Sequence, residues 1–214
     1  MTFILNQTHS IANYMLLELR DRAIQQHTSR FRKNVEKLGS LMAYEISKKL
    51  GYHSVKVQTP LGVSDIQVLN QQPVLITVLR AGLPYFQGFL DVFDQADCGF
   101  IGAFRKEGSS EIEINLNYIA TPSLEGRDVI LIDPMLATGK SFMKSVDAML
   151  AYGKPAHLYI AALVAAPEGL AYLKENLSVP HSIWTCALDE KLNEHFYIVP
   201  GLGDAGDLCY GEKI

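Results

Sequence analysis

The chain has 214 residues, 48% of them hydrophobic and 20% charged, with a formal net charge of −4. That length is enough to bury a real core, the composition is that of an ordinary soluble globular protein, and the charge counts against a nucleic-acid binder working by bulk attraction. Three widely spaced cysteines (Cys98, Cys186 and Cys209) form no Cys-x-x-Cys pair, so they suggest inert thiols, not a zinc site or a disulfide framework.

The first residues, Met-Thr-Phe-Ile-Leu-Asn, lack a basic leader, and no stretch approaches the roughly 20 apolar residues of a membrane span. A cytoplasmic protein with no membrane partner is expected. No repeat or linker interrupts the chain, which predicts one domain over 1–214. From about Ser10 to Lys49 the pattern predicts helix. Ile11, Met15 and Leu19 share one face, Val35, Leu38, Met42 and Ile46 another, with Ser10 as N-cap and Gly51 as the stop. Arg20, Arg22, Arg30 and Lys33 read as a solvated basic face, with Arg32 set apart as an auxiliary group. Residues 54–69 alternate around Leu61-Gly62 and predict a two-stranded arm.

After Pro73 come short, nearly continuous apolar runs: Val74–Leu79, Phe100–Phe104, Val129–Ile132 and Leu158–Val164. Strands covered by helices on both faces look like this. Helix-compatible stretches, notably Ser141–Ala151 and Glu168–Asn176, lie between them, predicting an α/β fold with a parallel twisted sheet and right-handed crossovers. Ile112, Ile114 and Ile119 suggest a hairpin or edge strand. Ligands of such sheets sit at the carboxyl ends of the strands, which gathers Arg80, Arg105 and Asp133 around one mouth.

The most informative run is Asp133-Pro134-Met135-Leu136-Ala137-Thr138-Gly139-Lys140-Ser141. A buried strand ends in a carboxylate, then a tight loop with a glycine and two hydroxyls opens a helix. The unpaired N–H groups of the first helical turn, with the helix dipole behind them, make a phosphate cradle. Gly139 permits close approach, Thr138 and Ser141 donate, and Asp133 suits ribose hydroxyls. Gly139-Lys140-Ser141 also ends like a nucleotide-triphosphatase loop, but the leading glycine that loop requires would fall on Pro134.

Asp133 to Ser141 resembles the loop that binds phosphoribosyl pyrophosphate (PRPP) in type I phosphoribosyltransferases, and Asp-Pro-Met-Leu-Ala-Thr-Gly resembles its version in uracil phosphoribosyltransferases. Val78-Leu79-Arg80-Ala81-Gly82-Leu83 is similar to the pyrophosphate-side loop of that subfamily, and Leu163 to Gly169 to a strand-to-helix junction. Asn193-Glu194-His195 with Tyr197 to Asp207 is similar to its C-terminal hood, taken here as about 184–214. Arg30-Phe31-Arg32 and Gly39-Ser40-Leu41 are weaker likenesses. The resemblance is collinear over nearly the whole chain.

It implies a type I phosphoribosyltransferase fold with a β arm and a hood, converting uracil and PRPP to UMP and pyrophosphate in pyrimidine salvage. It also implies a uracil site of Ile198, Gly203, Asp204 and Ala205, with Asp204 near PRPP, and a homodimer or larger assembly. The transition state would carry oxocarbenium character on the sugar and growing charge on pyrophosphate, making positioning and electrostatics the main levers. Arg80 and Arg105, whose guanidinium forks match phosphate oxygens, are expected on the pyrophosphate. Mg2+ is expected to arrive on PRPP, with Asp204 the residue nearest its shell. Lys106 is kept as an auxiliary group and His195 as a hydrogen-bonded structural residue. Two departures stand out: Lys140 replaces the usual second glycine, as in the Thr-Gly-Lys-Thr of hypoxanthine-guanine enzymes, and Pro84-Tyr85-Phe86-Gln87 replaces the usual Gly-Met-Met. The alternatives are a pyrimidine-responsive RNA-binding regulator, which the net charge disfavours, and a low-activity paralogue on the same fold.

Overall fold

The structure, a computed structural model, describes residues 1–105 and 114–212, and side chains at all of these except 103–105 and 114–117. In chain order the elements are β1 (Thr2–Ile4), α1 (Ile11–Arg20), α2 (Thr28–Ser47), β2 (Tyr52–Thr59), β3 (Gly62–Leu69), β4 (Val74–Leu79) and α3 (Leu83–Leu90). There follow β5 (Cys98–Arg105), β6 (Ile114–Ala120), β7 (Asp128–Ile132), β8 (Met135–Leu136), α4 (Lys140–Met149) and β9 (His157–Ala165). The chain continues with α5 (Pro167–Asn176), β10 (His181–Leu188), β11 (Lys191–Leu192), β12 (Ile198–Val199) and α6 (Ala205–Tyr210).

Eight strands form the central sheet in the order β1-β10-β9-β7-β4-β5-β6, with β8 paired to β9. Every pair is parallel except β5 with β6, which is antiparallel and closes one edge. All four apolar runs are strands of this sheet. Their side chains alternate between two cores, as the two-residue period of a strand requires. On β7, Ile130 and Ile132 face a core shared with Leu38, Met42, Tyr85 and Trp184. Val129 and Leu131 face the other, with Phe142, Val146, Leu170 and Leu173 of α4 and α5. Helices thus cover both faces.

The N-terminal helical stretch is two helices as expected, with a turn between Asp21 and His27. Three expectations change. Ser10 does cap α1, accepting from the Ala12 N–H at 3.3 Å. The buried face of α1, however, is Ala12, Leu16 and Leu19, while Ile11 is exposed. On α2, Val35, Leu38, Met42 and Ile46 are all buried as the periodicity predicts. The hood expected from about 184 starts later, since Trp184 to Leu188 complete β10 inside the sheet. Finally, the basic face is solvated as expected at Arg22, Arg30 and Lys33, but Arg20 is half-buried. Arg20 binds Asp189, Arg30 binds the buried Glu18, and Lys33 pairs with Glu36 at 2.5 Å.

β2 and β3 pair only with each other, in register from Tyr52 with Leu69 to Thr59 with Gly62, and make the expected arm, beginning two residues earlier than 54. The stretch Pro84-Tyr85-Phe86-Gln87 opens α3. Tyr85 is fully buried and donates its hydroxyl to the Ala162 carbonyl at 3.1 Å, so this departure is a matter of core packing.

Candidate functional site

The carboxyl ends of β4 and β7 lie side by side, Thr77 opposite Ile132, so the loops that follow them share one mouth. Asp133 and Arg80 are the first residues off these two tips. The chain folds tightly here. The Thr77 hydroxyl donates to the Ile132 carbonyl at 3.3 Å, and the Gly82 N–H donates to the Val78 carbonyl at 3.1 Å. Arg105 ends β5, next to β4; its side chain, like Lys106 and residues 112–113, lies outside the described residues.

The loop from Asp133 to Ser141 is built from both sides. Asp133 Oδ1 accepts from the Met135 N–H at 3.0 Å, turning the chain so that Met135–Leu136 joins β9 as β8. Pro134 accepts through its carbonyl from Leu163 and Val164, both at 3.0 Å. Thr138 Oγ1 accepts from the Lys140 N–H at 3.4 Å, and Gly139 takes the left-handed conformation (φ +79°) that launches α4. No side chain caps α4 at Gly139, and apart from the Lys140 N–H held by Thr138, the N–H groups of its first turn have no partner within the helix. The requirement for glycine differs from the one expected. A Cβ on Gly139 would point at α5, 3.0 Å from both the Gly169 carbonyl and Tyr172 Cδ1, not into the cradle. Lys140 is exposed at the first position of α4, and Ser141 is half-buried beside it.

The hood closes over this mouth from the far end of the chain. β11 and β12 form a short antiparallel ribbon, Leu192 opposite Ile198. Its turn is held by Asn193 Oδ1, which accepts from the N–H groups of His195 (3.0 Å) and Tyr197 (2.9 Å). His195, expected as a hydrogen-bonded structural residue, is exposed, its side chain 3.5 Å from the Glu194 carboxylate. Ile198 and Ala205 are buried, while Gly203 and Asp204 are exposed. Asp204 caps α6, its Oδ1 accepting from the N–H groups of Gly206 (2.8 Å) and Asp207 (3.0 Å). The turn it forms lies on the β4 loop, since a Cβ on Gly206 would come within 3.7 Å of Ala81 Cβ.

Arg80 meets this turn directly. Its Nη2 lies 3.5 Å from Asp207 Oδ1 and 3.5 Å from the Gly211 carbonyl. Both contacts are long and Arg80 is exposed, so the pair is weak and the guanidinium is available to an incoming anion. The structure thereby brings Arg80, the Asp133–Ser141 loop and Asp204 together. Sequence reasoning passed over Asp207 as a partner of Arg80, although it stands one helical turn after Asp204. It also passed over Asp189, which ends an apolar run as Asp133 does; that run had been given to the hood.

A family model described as uracil phosphoribosyltransferase matches residues 6–212. A uracil phosphoribosyltransferase of Porphyromonas gingivalis is 44% identical over 211 residues, covering 98% of each chain. One from Malacoplasma penetrans is 38% identical over the full length of both. Among solved structures, the AQ2163 protein of Aquifex aeolicus superposes over the whole of both chains with a TM-score of 0.88 at 31% identity. A hypoxanthine phosphoribosyltransferase of Staphylococcus aureus, at 13% identity, shares the fold over 75% of this chain and 76% of its own, with a TM-score of 0.51.

Proposed function

As a member of the uracil phosphoribosyltransferase family, the chain is an enzyme that converts uracil and PRPP to UMP and pyrophosphate, and we propose that it does so at the mouth between Arg80, the Asp133–Ser141 loop and the hood. The observation that carries this placement is the first turn of α6 resting on Ala81, which sets the hood against the loop off β4 and beside the loop off β7.

In this reading the N–H groups opening α4, with the hydroxyls of Thr138 and Ser141, hold the 5′-phosphate, and Asp133 accepts from the ribose diol. The backbone of Pro134, Met135, Leu136, Ala137, Gly139 and Lys140 forms the wall of that cradle. Arg80 leaves Asp207 for the pyrophosphate and, with Arg105, stabilises the charge that grows as the C1–O bond lengthens. Ile198 packs on the uracil ring, while the main chain of Gly203, Asp204 and Ala205 meets its carbonyl and N–H edges. A cytosine amino group would leave such a fixed edge unpaired, and this gives the selectivity.

Phosphoribosyltransferases of this kind use Mg2+ with PRPP. The residues fit an ion carried on the diphosphate: Asp204 commits Oδ1 to the α6 cap, so its other oxygen is the one to offer. Bound there, magnesium would neutralise charge on the departing pyrophosphate. No helix among the described residues is long and apolar enough to cross a membrane, and a cytoplasmic location is part of the proposal. So is a homodimer or larger assembly, in which the arm of β2 and β3 docks on a second copy.

The test is a UMP-formation assay with PRPP and magnesium, offering uracil, hypoxanthine, adenine and orotate in parallel. Uracil alone should be consumed. Preferred turnover of another base would overturn the assignment.

A further inference from the structure

Asp189 follows the last residue of β10 and is buried, its side chain 5% exposed. Arg20, the last residue of α1, reaches it from the opposite end of the sequence with both terminal nitrogens: Nη2 to Oδ1 at 2.6 Å and Nη1 to Oδ2 at 3.0 Å. Such a two-point pair fixes orientation as well as distance. The pair does not end in itself. Asp189 Oδ2 accepts from the Gly201 N–H at 2.8 Å, while Arg20 Nη1 donates to the Gly201 carbonyl at 3.2 Å. One residue of the hood is thus gripped on both of its polar groups, one by the acid and the other by the base.

Gly201 is buried, with φ +63°, midway between Ile198 and Gly203–Ala205. Moving it would move both sides of the proposed base site. A second arginine helps at the far end of the hood, Arg32 Nη1 donating to the Cys209 carbonyl at 2.7 Å. Among the described residues, the side chains of Arg20 and Asp189 hydrogen-bond to each other and to Gly201.

We infer that Arg20 and Asp189 are positioning residues for uracil, acting through Gly201. Removing either leaves a buried charge without its partner and a Gly201 group without its bond, and the loop then has no single resting place. The inference rests on the hood as the uracil site. Its effect should therefore fall more on the base than on PRPP, which Arg80 and the Asp133–Ser141 loop also hold.

Steady-state kinetics of Asp189→Asn and of Arg20→Lys, the second retaining charge and bulk should the first fold poorly, tests this. Arg30→Gln serves as a control, since it breaks another ion pair made to α1, that of Arg30 with the buried Glu18. The expected result is a KM for uracil raised about tenfold or more in both hood variants, with the KM for PRPP within about twofold of the parent. The control should melt earlier with its uracil KM unchanged. An unchanged uracil KM in the hood variants, both KM values rising together, or an equal rise in the control would overturn the inference. A parent enzyme that makes no UMP from uracil would overturn the functional reading itself, and this inference with it.

Discussion

Glu18 is buried on α1, and Arg30, hydrogen-bonded to it through Nε at 2.9 Å, is the main cause holding its carboxyl at about 2; Asn34 adds a second bond at 2.6 Å. An acid held below its unfolded value stabilises the fold fully above that value, about 4.5, and loses the contribution as pH falls toward about 2. Glu18→Gln should therefore melt earlier than the parent at pH 7, and the gap should narrow between pH 4.5 and 2 in a pH series of thermal melts. The thiols make a second case. Burial pushes Cys186 up to about 12 and Cys209 up to about 11, so both stay protonated and unreactive. A thiol-specific chromogenic reagent at pH 8 should label neither until the protein unfolds. At the site, Asp204→Asn should lower kcat on the order of 100-fold, as loss of one transition-state contact does, with little change in melting temperature. Parent-like kinetics would remove Asp204 from the reaction. The carboxylates differ in legibility for a physical reason. Asp133 sits in a run whose local pattern announces a loop that opens a helix, and Asp204 is marked by the family resemblance, whereas Asp189 and Glu18 matter through arginines, and only folding brings Arg20 to Asp189, 169 residues away.

Among the elements, α4 and α5 are coupled by glycine. Gly139 needs its positive φ and has α5 at its back, while a Cβ on Gly169 would in turn strike the Ala137 carbonyl. Gly139→Val is therefore expected to lose PRPP affinity by distorting the loop, at a backbone cost of roughly 1–3 kcal/mol. Calorimetry should show weakened PRPP binding together with a lowered melting temperature; normal affinity would refute the cradle. The sequence expects glycine at 139 for close approach to a phosphate, whereas the structure shows a positive φ and α5 behind it, because motif spacing says nothing of which neighbour a missing side chain would meet. The strands were legible for the opposite reason. Burial on both faces demands continuous apolar runs, and Val74–Leu79 or Val129–Ile132 admit little else. β10 escaped notice because Ser182 and Thr185 break its run; both are buried, with Ser182 Oγ accepting from Trp184 Nε1 at 2.9 Å and Thr185 donating to the Ala187 carbonyl at 2.8 Å. The one-residue error in the buried face of α1 arises where Leu16 and Leu17 are adjacent, and a lone amphipathic helix does not say which of the two faces inward.

Over the whole molecule, the arm stands apart: among the described residues its two strands pair with each other and with no other strand. It is a two-stranded ribbon, marginal alone in water. It carries exposed Val57, Val63 and Ile66 and a fully exposed Leu61 at its tip. Leu61→Asp with Val63→Asp is expected to lower the mass seen by sedimentation velocity from a dimer or larger to a smaller species, leaving the circular dichroism spectrum unchanged. The sheet also ties the two ends of the chain together. β1 runs parallel to β10, and the Met1 carbonyl accepts from the Ile183 N–H at 3.0 Å. During synthesis, then, β1 leaves the ribosome well before β10, the strand it pairs with, has been made. The apolar side of α2 meanwhile waits for Trp184. A product terminated before β10 should thus be a substrate for chaperones and proteases instead of a slow enzyme.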